Sequence, residues 1–405
     1  MNIRVFPSVA RGSVTAPPSK SIAHRLLICA ALAEGKSRIC GVSDCEDVEA
    51  TLDCLRALGV QCHKEGEAVT VIGKKLSATA QANSVLPCRE SGSTMRFVLP
   101  LCLLGGECAT LIGAPSLLRR PMTVYEDLCR KHGLFFEQTS TGITVKGPLT
   151  AGEYTLPGDV SSQFISGMLF ALTQLKGESI LHIQPPFESR SYVLLTLQAL
   201  SAFGADVVWI DDLTIRVRGG KPMMAQTLTV EGDYSGAAFL SALNVIGGDV
   251  RVDGLNPASL QGDRVYFEHF ASLKQGFATI SLADCPDLAP ILFALAASGK
   301  GGHFTDTRRL VIKESNRAEA MATELRKFGT TVEVFENEVL ITPTAFHAPG
   351  EPLSGYNDHR IVMSLAVLAT LTGGVIEGAE AVAKSFPDFF ERIRSVGIQI
   401  QEIIP

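Results

Sequence analysis

A chain of 405 residues, 46% hydrophobic and 19% charged, fills two domains or one large one and is not a disordered segment. Its net charge of −6 argues against nucleic acid as the main partner, although a local basic cleft is compatible with that balance. The ten cysteines include no CxxC pair and the eight histidines no metal-ligand spacing, so neither disulfides nor a metal site is expected. The opening Met1-Asn2-Ile3-Arg4-Val5 reads as a strand and lacks the apolar centre of a signal peptide. The apolar runs Val98 to Leu104 and Ile361 to Leu371 are too short for a bilayer, so the expected compartment is the cytoplasm.

The first informative stretch is Pro17-Pro18-Ser19-Lys20-Ser21-Ile22-Ala23-His24-Arg25. Two prolines interrupt regular structure, and a helix then runs through Leu26 to Ala33, with Ser19 or Ser21 placed to cap it. Ser21 and Arg25 are four apart and share a helix face. Hydroxyls, unpaired N–H groups and two cations at a helix start suit an anion, phosphate above all. A capped helix with a solvated Lys and Arg is the plainer alternative.

The same arrangement recurs. Polar starts at Glu90-Ser91-Gly92-Ser93, Asp159-Val160-Ser161-Ser162, Asp233-Tyr234-Ser235-Gly236, Pro286-Asp287 and Asn357-Asp358-His359-Arg360 each lead into an apolar helical run. The runs stop at Gly35, Gly105-Gly106, Gly177, Gly247-Gly248, Gly299 and Gly373-Gly374, where β-rich pieces follow. A second, amphipathic helix comes next, as in Asp47 to Leu58 or Ala318 to Phe328. The period predicts an α/β fold of six βαβαββ modules, with the fourth interval, Asp233 to Asp287, shorter by about one hairpin. Six modules imply two domains of three: residues 17–228, and residues 229–405 together with 1–16, whose strand Ile3 to Phe6 closes the second domain. The polar cluster before Thr227 to Glu231 marks the crossover.

Cations gather at the module boundaries: Lys20, Arg25, Arg96, Arg120, Arg190, Lys313, Arg317, Arg360 and Lys384. Their recurrence at loop-to-helix junctions points to a ligand with several negative charges. The densest group, Lys313-Glu314 with Arg317, is either a helix-surface salt bridge or a carboxylate among cations, with Arg317 forking onto a ligand. Asp287 is either a helix cap or the one acid in a basic cleft that takes a hydrogen bond or proton from a hydroxyl. Gly92 is either a turn glycine or a place where backbone must approach a ligand closely.

Taken together, Ser19-Lys20-Ser21 with Arg25, Ser91-Gly92-Ser93-Thr94-Met95-Arg96, Arg120-Pro121, Ser161-Ser162-Gln163-Phe164, Pro286-Asp287, Lys313-Glu314 with Arg317, Asn357-Asp358-His359-Arg360 and Lys384-Ser385-Phe386-Pro387-Asp388 resemble the 5-enolpyruvylshikimate-3-phosphate synthase family over essentially the whole chain. The resemblance implies two inside-out α/β domains of three βαβαββ units each, with the active site in the interdomain cleft. It implies transfer of the enolpyruvyl group of phosphoenolpyruvate to the 5-hydroxyl of shikimate 3-phosphate, with release of phosphate and without metal or organic cofactor. Under it, Lys20, Ser21, Arg25, Ser161, Ser162, Gln163, Ser189, Asp287 and Lys313 hold shikimate 3-phosphate. Lys20, Gly92, Arg120, Gln163, Arg317, Arg360 and Lys384 hold phosphoenolpyruvate, whose pocket the herbicide glyphosate also enters. Lys20, Asp287 and Glu314 are the candidates for proton transfer. The expected partners are these two small molecules, with neither nucleic acid nor membrane, and the expected state is a monomer. Arg309 stands where the family often carries an asparagine and is left out of the site.

Two other functions fit less well. The sister transferase acting on UDP-N-acetylglucosamine opens on an Ala-Lys-Asn type motif and carries a loop cysteine; here Ser19-Lys20-Ser21 and Leu117-Leu118-Arg119 stand instead. A non-catalytic anion-binding relative would be expected to lose Lys20, Asp287, Glu314 or Lys384, and this chain has all four.

Overall fold

The computed structural model describes residues 1–76 and 83–403. They form two compact units, Lys20–Glu231 and Gly232–Pro405 with Met1–Ser19. Each crossing lies three residues beyond the boundary expected from the sequence. Pro17 accepts a main-chain hydrogen bond from Asp233 at 2.7 Å, Pro18 bridges Gly232, and the Ser19 hydroxyl donates to the Asp233 carboxylate at 3.0 Å. Ser19 is therefore tied to the later unit and not to the helix that starts beside it. On the other side, Thr227–Thr229 runs parallel to Arg38–Cys40 and Val230 donates to Cys40 O, which holds this segment in the earlier unit.

The repeat has a clear structural form. In three modules a parallel pair of strands is followed by an antiparallel hairpin, giving sheets of the same order. These are Ser84–Pro87 with Cys108–Ile112, Gly142–Lys146 and Phe135–Gln138; Glu153–Pro157 with Gly177–Gln184, Thr214–Gly219 and Asp206–Asp211; and Ala278–Ser281 with Gly302–Thr305, Glu338–Thr342 and Thr331–Val334. The remaining sheets borrow strands from elsewhere in the chain. Ala33–Cys40 is paired by Thr227–Thr229 and Met223–Met224, from the far end of its unit. Asn2–Val5 lies antiparallel to both Gly374–Glu377 and Ile400–Ile403 and supplies one of the two inner strands of the last sheet.

The fourth module is the short one. Its sheet has two strands, Arg11–Thr15 parallel to Asp249–Asp253, against four or five in the others. The hairpin missing from the sequence interval would have covered the free edge of Asp249–Asp253. That edge is met instead by one side chain: Asn244 Nδ2 donates to Val250 O and Val250 N donates to Asn244 Oδ1, both at 2.7 Å. An amide side chain here reproduces the donor–acceptor pair of a neighbouring strand. Beside it lies a groove of about 400 Å³ whose lining includes Val252, Tyr266, Phe267 and Phe270.

Each unit has its own apolar core. The first helix of a module is buried on nearly all sides: Ile22 to Leu32 in Lys20–Leu32, and Ala289 to Ala297 in Ala289–Ser298. A helix apolar all round belongs inside, and only its polar start reaches the surface. That is how the sequence brings Lys20, Gly92, Ser162 and His359-Arg360 to positions at or beside helix starts. All ten cysteines are free thiols. Among the described residues no helix is long and apolar enough to cross a membrane, and no cluster of His, Cys, Asp or Glu could hold a metal ion.

Candidate active site

In the unit Lys20–Glu231, Lys20 opens its helix and its ammonium lies 2.7 Å from the carboxylate of Asp47, near the start of the helix Glu46–Ala57. Ser21 follows, and its main-chain carbonyl accepts from Arg25 NH1 at 2.6 Å, one turn away. Arg25 is 2% exposed; Nε donates to Thr196 Oγ1 at 2.8 Å and NH2 to Tyr192 O at 2.9 Å, with the Phe97 ring centre 5.1 Å from its guanidinium carbon. Burial pulls its pKa down to about 10. His24, fully buried beside it, is held well below its usual value by burial and then by Lys20 and Arg25, so it is neutral. His24 Nδ1 meets Thr51 Oγ1 at 2.7 Å, Thr51 meets Thr94 Oγ1 at 2.7 Å, and Thr94 donates to Ser91 Oγ at 2.8 Å. This chain of hydroxyls ties the first three helices together beside Gly92.

Ser91 caps the helix Gly92–Cys102 by accepting from Thr94 N at 3.2 Å. A Cβ on Gly92 would stand 2.8 Å from an Arg120 guanidinium nitrogen and 3.3 Å from one of Arg96. Gly92 does not have a positive φ, so the turn-glycine reading gives way: the missing side chain leaves room for two arginines. Arg96 NH1 donates to Gln163 Oε1 at 2.7 Å, and Gln163 Nε2 donates to Ser93 Oγ at 2.8 Å. Ser161 caps the helix Ser162–Gln174 by accepting from Gln163 N at 3.3 Å. Ser189, buried and at φ 56°, precedes the helix Arg190–Ala202; a non-glycine residue there is uncommon and clusters at functional sites. Arg190 leaves the set of candidate cations, because it pairs with exposed Asp212 at 3.1 Å and lies over Trp209.

In the other unit the centre is Asp287. Its Oδ1 accepts from Lys313 Nζ at 3.1 Å and from Arg317 NH1 at 2.8 Å, and its Oδ2 accepts from Arg360 NH2 at 3.2 Å. Burial pushes its carboxyl up, but Arg360, Lys313 and Arg317 outweigh burial and hold it well below the carboxylate range. Asp287 is not a cap. It lies in the 3-10 turn Pro286–Leu288, and the helix Ala289–Ser298 starts after it. Lys313, next to it, is lowered by burial against the opposing pull of Asp287.

Lys313, Glu314 and Arg317 do not share a helix, which corrects the salt-bridge reading. Lys313 and Glu314 precede the helix Arg317–Lys327, which Asn316 caps through Glu319 N at 3.4 Å. Arg317 is 1% exposed and spreads over three carboxylates: NH2 to Glu314 at 2.6 Å, Nε to Asp358 at 2.8 Å, and NH1 to Asp287. Burial opposes its charge, but Asp358, Glu314 and Asp287 raise its pKa. Asp358 also accepts from Arg360 N at 2.9 Å, so the helix His359–Thr372 starts on a carboxylate. Lys384 donates to Asn357 O at 2.7 Å and is buried. Arg309 is buried too, and its NH2 donates to Ala283 O.

Sequence reasoning did not select Asp47, Asp358 or Asp263. Asp358 lies in a motif already singled out, whereas Asp47 reads as one more acid on an amphipathic helix. Asp263, 3% exposed in the 3-10 turn Gly262–Val265, offers no sequence signal beyond its charge.

In each unit, lysines and arginines stand at or beside helix starts, several of them held by the protein's own carboxylates, an arrangement suited to binding multiply charged anions. The chain belongs to the EPSP synthase (3-phosphoshikimate 1-carboxyvinyltransferase) family, whose model matches residues 7–393. A 3-phosphoshikimate 1-carboxyvinyltransferase of Clostridium kluyveri is 37% identical, covering 99% of this chain and 98% of the relative. One of Clostridium novyi is 34% identical over 99% and 98%. An EPSP synthase structure from Acinetobacter baumannii covers all of both chains at 25% identity with a TM-score of 0.80. The chain is thus an α/β enzyme of the shikimate pathway, a transferase of aromatic amino-acid biosynthesis.

Proposed function

We propose that this chain transfers the enolpyruvyl group of phosphoenolpyruvate to the 5-hydroxyl of shikimate 3-phosphate, and that the residues above carry the reaction. The observation that carries the reading is the convergence of Lys313, Arg317 and Arg360 on Asp287, with Glu314 on the same arginine. Ser21, Arg25, Ser161, Ser162, Gln163, Ser189, Lys313 and Asp287 would hold shikimate 3-phosphate. Gly92, Arg120, Arg317, Arg360 and Lys384 would hold phosphoenolpyruvate, with Lys20 and Gln163 serving both ligands. Arg96, through its contact with Gln163, would brace the position of Gln163.

The chemistry needs a base at the 5-hydroxyl, an acid at the methylene carbon, and cations for the carboxylate and the leaving phosphate. The hydroxyl oxygen bonds to C2 while C3 gains a proton. The tetrahedral intermediate then loses a C3 proton and breaks its C2–O bond to phosphate. Asp287, as held here by three cations, is a strong hydrogen-bond acceptor but a weak base. Ligand anions that draw Arg360 and Lys313 to themselves would relieve that depression and raise its basicity where the hydroxyl lies. Lys20 and Glu314 remain for the transfers at C3.

Phosphate release from phosphoenolpyruvate, measured with shikimate 3-phosphate and separately with UDP-N-acetylglucosamine, tests the assignment. Release is expected with the first acceptor alone. Release with the sugar nucleotide alone would overturn it.

A further inference from the structure

Two consecutive non-glycine residues, Tyr356 at φ 49° and Asn357 at φ 51°, turn the chain in the left-handed region just before Asp358 and Arg360. Such backbone is uncommon and persists only where its surroundings hold it. What this turn carries belongs to the site. Asn357 O accepts from Lys384 Nζ at 2.7 Å, and Asp358, the next residue, accepts from Arg317 Nε at 2.8 Å and from Arg360 N at 2.9 Å.

The turn is gripped by a carboxylate that the proposed reaction does not use. Glu324 is fully buried on the helix Arg317–Lys327. Its Oε2 accepts from Ser354 N at 3.0 Å, and its Oε1 accepts from the Tyr356 hydroxyl at 3.1 Å. Lys327 Nζ, 3.0 Å from Oε2, also donates to Pro352 O at 2.9 Å, at the entry to the turn. A main-chain N–H, a phenol and an ammonium are here all donors, which suits a side chain that only accepts. Arg317 and Glu324 are seven residues apart, two turns along one helix face. That face holds the turn at two points, Asp358 through Arg317, and Ser354 with Tyr356 through Glu324. A third hold comes from the sheet, where Leu353 and Ser354 pair with Ile376 and Glu377 and Gly355 N donates to Glu377 O at 2.9 Å.

We infer that Glu324 is a positioning residue for the phosphoenolpyruvate side of the site: by fixing the left-handed turn at 354–357 it keeps Asn357 O at Lys384, Asp358 at Arg317, and the helix start that carries Arg360 in register. The role rests on the assignment of Lys384, Arg317 and Arg360 to phosphoenolpyruvate made above. It predicts a selective effect, because Ser21, Arg25, Ser161, Ser162 and Ser189, assigned to shikimate 3-phosphate, belong to the other unit. A role confined to stability would lower the melting temperature without favouring one substrate over the other.

Steady-state kinetics with both substrates, and melting curves, on the full chain test this. Glu324→Met removes both acceptor oxygens at similar side-chain length. The KM for phosphoenolpyruvate should rise on the order of tenfold, and that for shikimate 3-phosphate by less than about twofold. Glu324→Gln keeps one acceptor oxygen and should recover part of the loss. Tyr356→Phe removes one hydroxyl from an exposed residue; the same KM should rise roughly threefold, with the melting temperature within about 2 °C of wild type. Added to Glu324→Met, Tyr356→Phe should change nothing further, because its acceptor is already gone. A folded Glu324→Met variant whose KM for phosphoenolpyruvate is unchanged, or whose two KM values rise equally, would overturn the role, as would additive effects of the two substitutions. Should Glu324→Met not fold, an unchanged KM for phosphoenolpyruvate in Tyr356→Phe would overturn it instead. In each of these cases wild-type turnover leaves the proposed function standing. Absence of wild-type turnover with these substrates would overturn both.

Discussion

Replacing Arg317 by lysine preserves the charge and removes the geometry. The guanidinium sends Nε to Asp358, NH1 to Asp287 and NH2 to Glu314, at 2.8, 2.8 and 2.6 Å, in three directions of one plane. A lysine ammonium is a single point on a shorter reach and can satisfy one of these carboxylates well. Two charge-assisted hydrogen bonds are therefore lost in a site 1% exposed at its centre. At about 1.5–3 kcal/mol each the loss is roughly 3–6 kcal/mol, close to the ~3–5 kcal/mol measured for breaking buried ion pairs. For a unit of about 200 residues, where 1 kcal/mol moves the melting temperature by roughly 2–4 °C, the lower bound of ~3 kcal/mol already means a fall of about 6–12 °C. Calorimetry of the variant reads this directly. Kinetics on the same sample should show the KM for phosphoenolpyruvate rising more than that for shikimate 3-phosphate. A melting temperature within about 2 °C of wild type would refute the picture of Arg317 as the hub of three acids. Equal weakening of both substrates would confine Arg317 to that structural role.

Lys20→Met should lower kcat by about a hundredfold or more with the fold retained, as the loss of one electrostatic group at a reacting centre does; near-normal turnover would remove Lys20 from the chemistry. Gly92→Ala places a methyl 2.8 Å from Arg120, so the KM for phosphoenolpyruvate should rise, and the inhibition constant for glyphosate, the longer ligand, should rise further; equal increases would show that only the arginine had moved. Asn244→Ala removes both hydrogen bonds to Val250 and should cost about 1–3 kcal/mol in chemical denaturation with kinetics unchanged. Because the folded Asp287 carboxyl lies below its ordinary 3.8, the stability it contributes is whole above that pH and drains away as pH falls through the lowered value. Asp287→Asn should therefore flatten the acid limb below about pH 4, and an unaltered limb would contradict the depression.

The modular plan was legible because it rests on local signals: buried helices with polar starts, glycines where strands begin, and a fourth interval too short for its hairpin. What the sequence hid lies between elements. Lys20 and Asp47 are 27 residues apart on different helices, and nothing in either segment announces their contact. Lys313 and Arg317 have helical spacing, yet the helix begins at Arg317. Asn316 followed three residues later by Glu319 was the capping signal that marked this start. Asn244 was illegible for another reason. A half-buried asparagine in an apolar helix carries no hint that it faces an open strand edge, since that edge is created by residues absent from another part of the chain.

The two units hold their buried arginines in opposite ways. Arg317 is surrounded by acids, and its pKa is raised by Asp358, Glu314 and Asp287 against burial. Arg25 is held by a threonine hydroxyl, two main-chain carbonyls and the face of Phe97, and burial takes its pKa down to about 10. Dipoles orient a cation without cancelling its charge, so the field of Arg25 is still available to an incoming anion. An anion at Arg317 must compete with carboxylates already in place, and its affinity there is the difference between two charged partnerships. A phosphate therefore gains more from Arg25, whereas a ligand that rearranges the acids around Arg317 can change the basicity of Asp287. On the function proposed above, anchoring would fall to the first kind of arginine and chemistry to the second. Such a division would account for cations both with and without carboxylate partners in a chain of net negative charge.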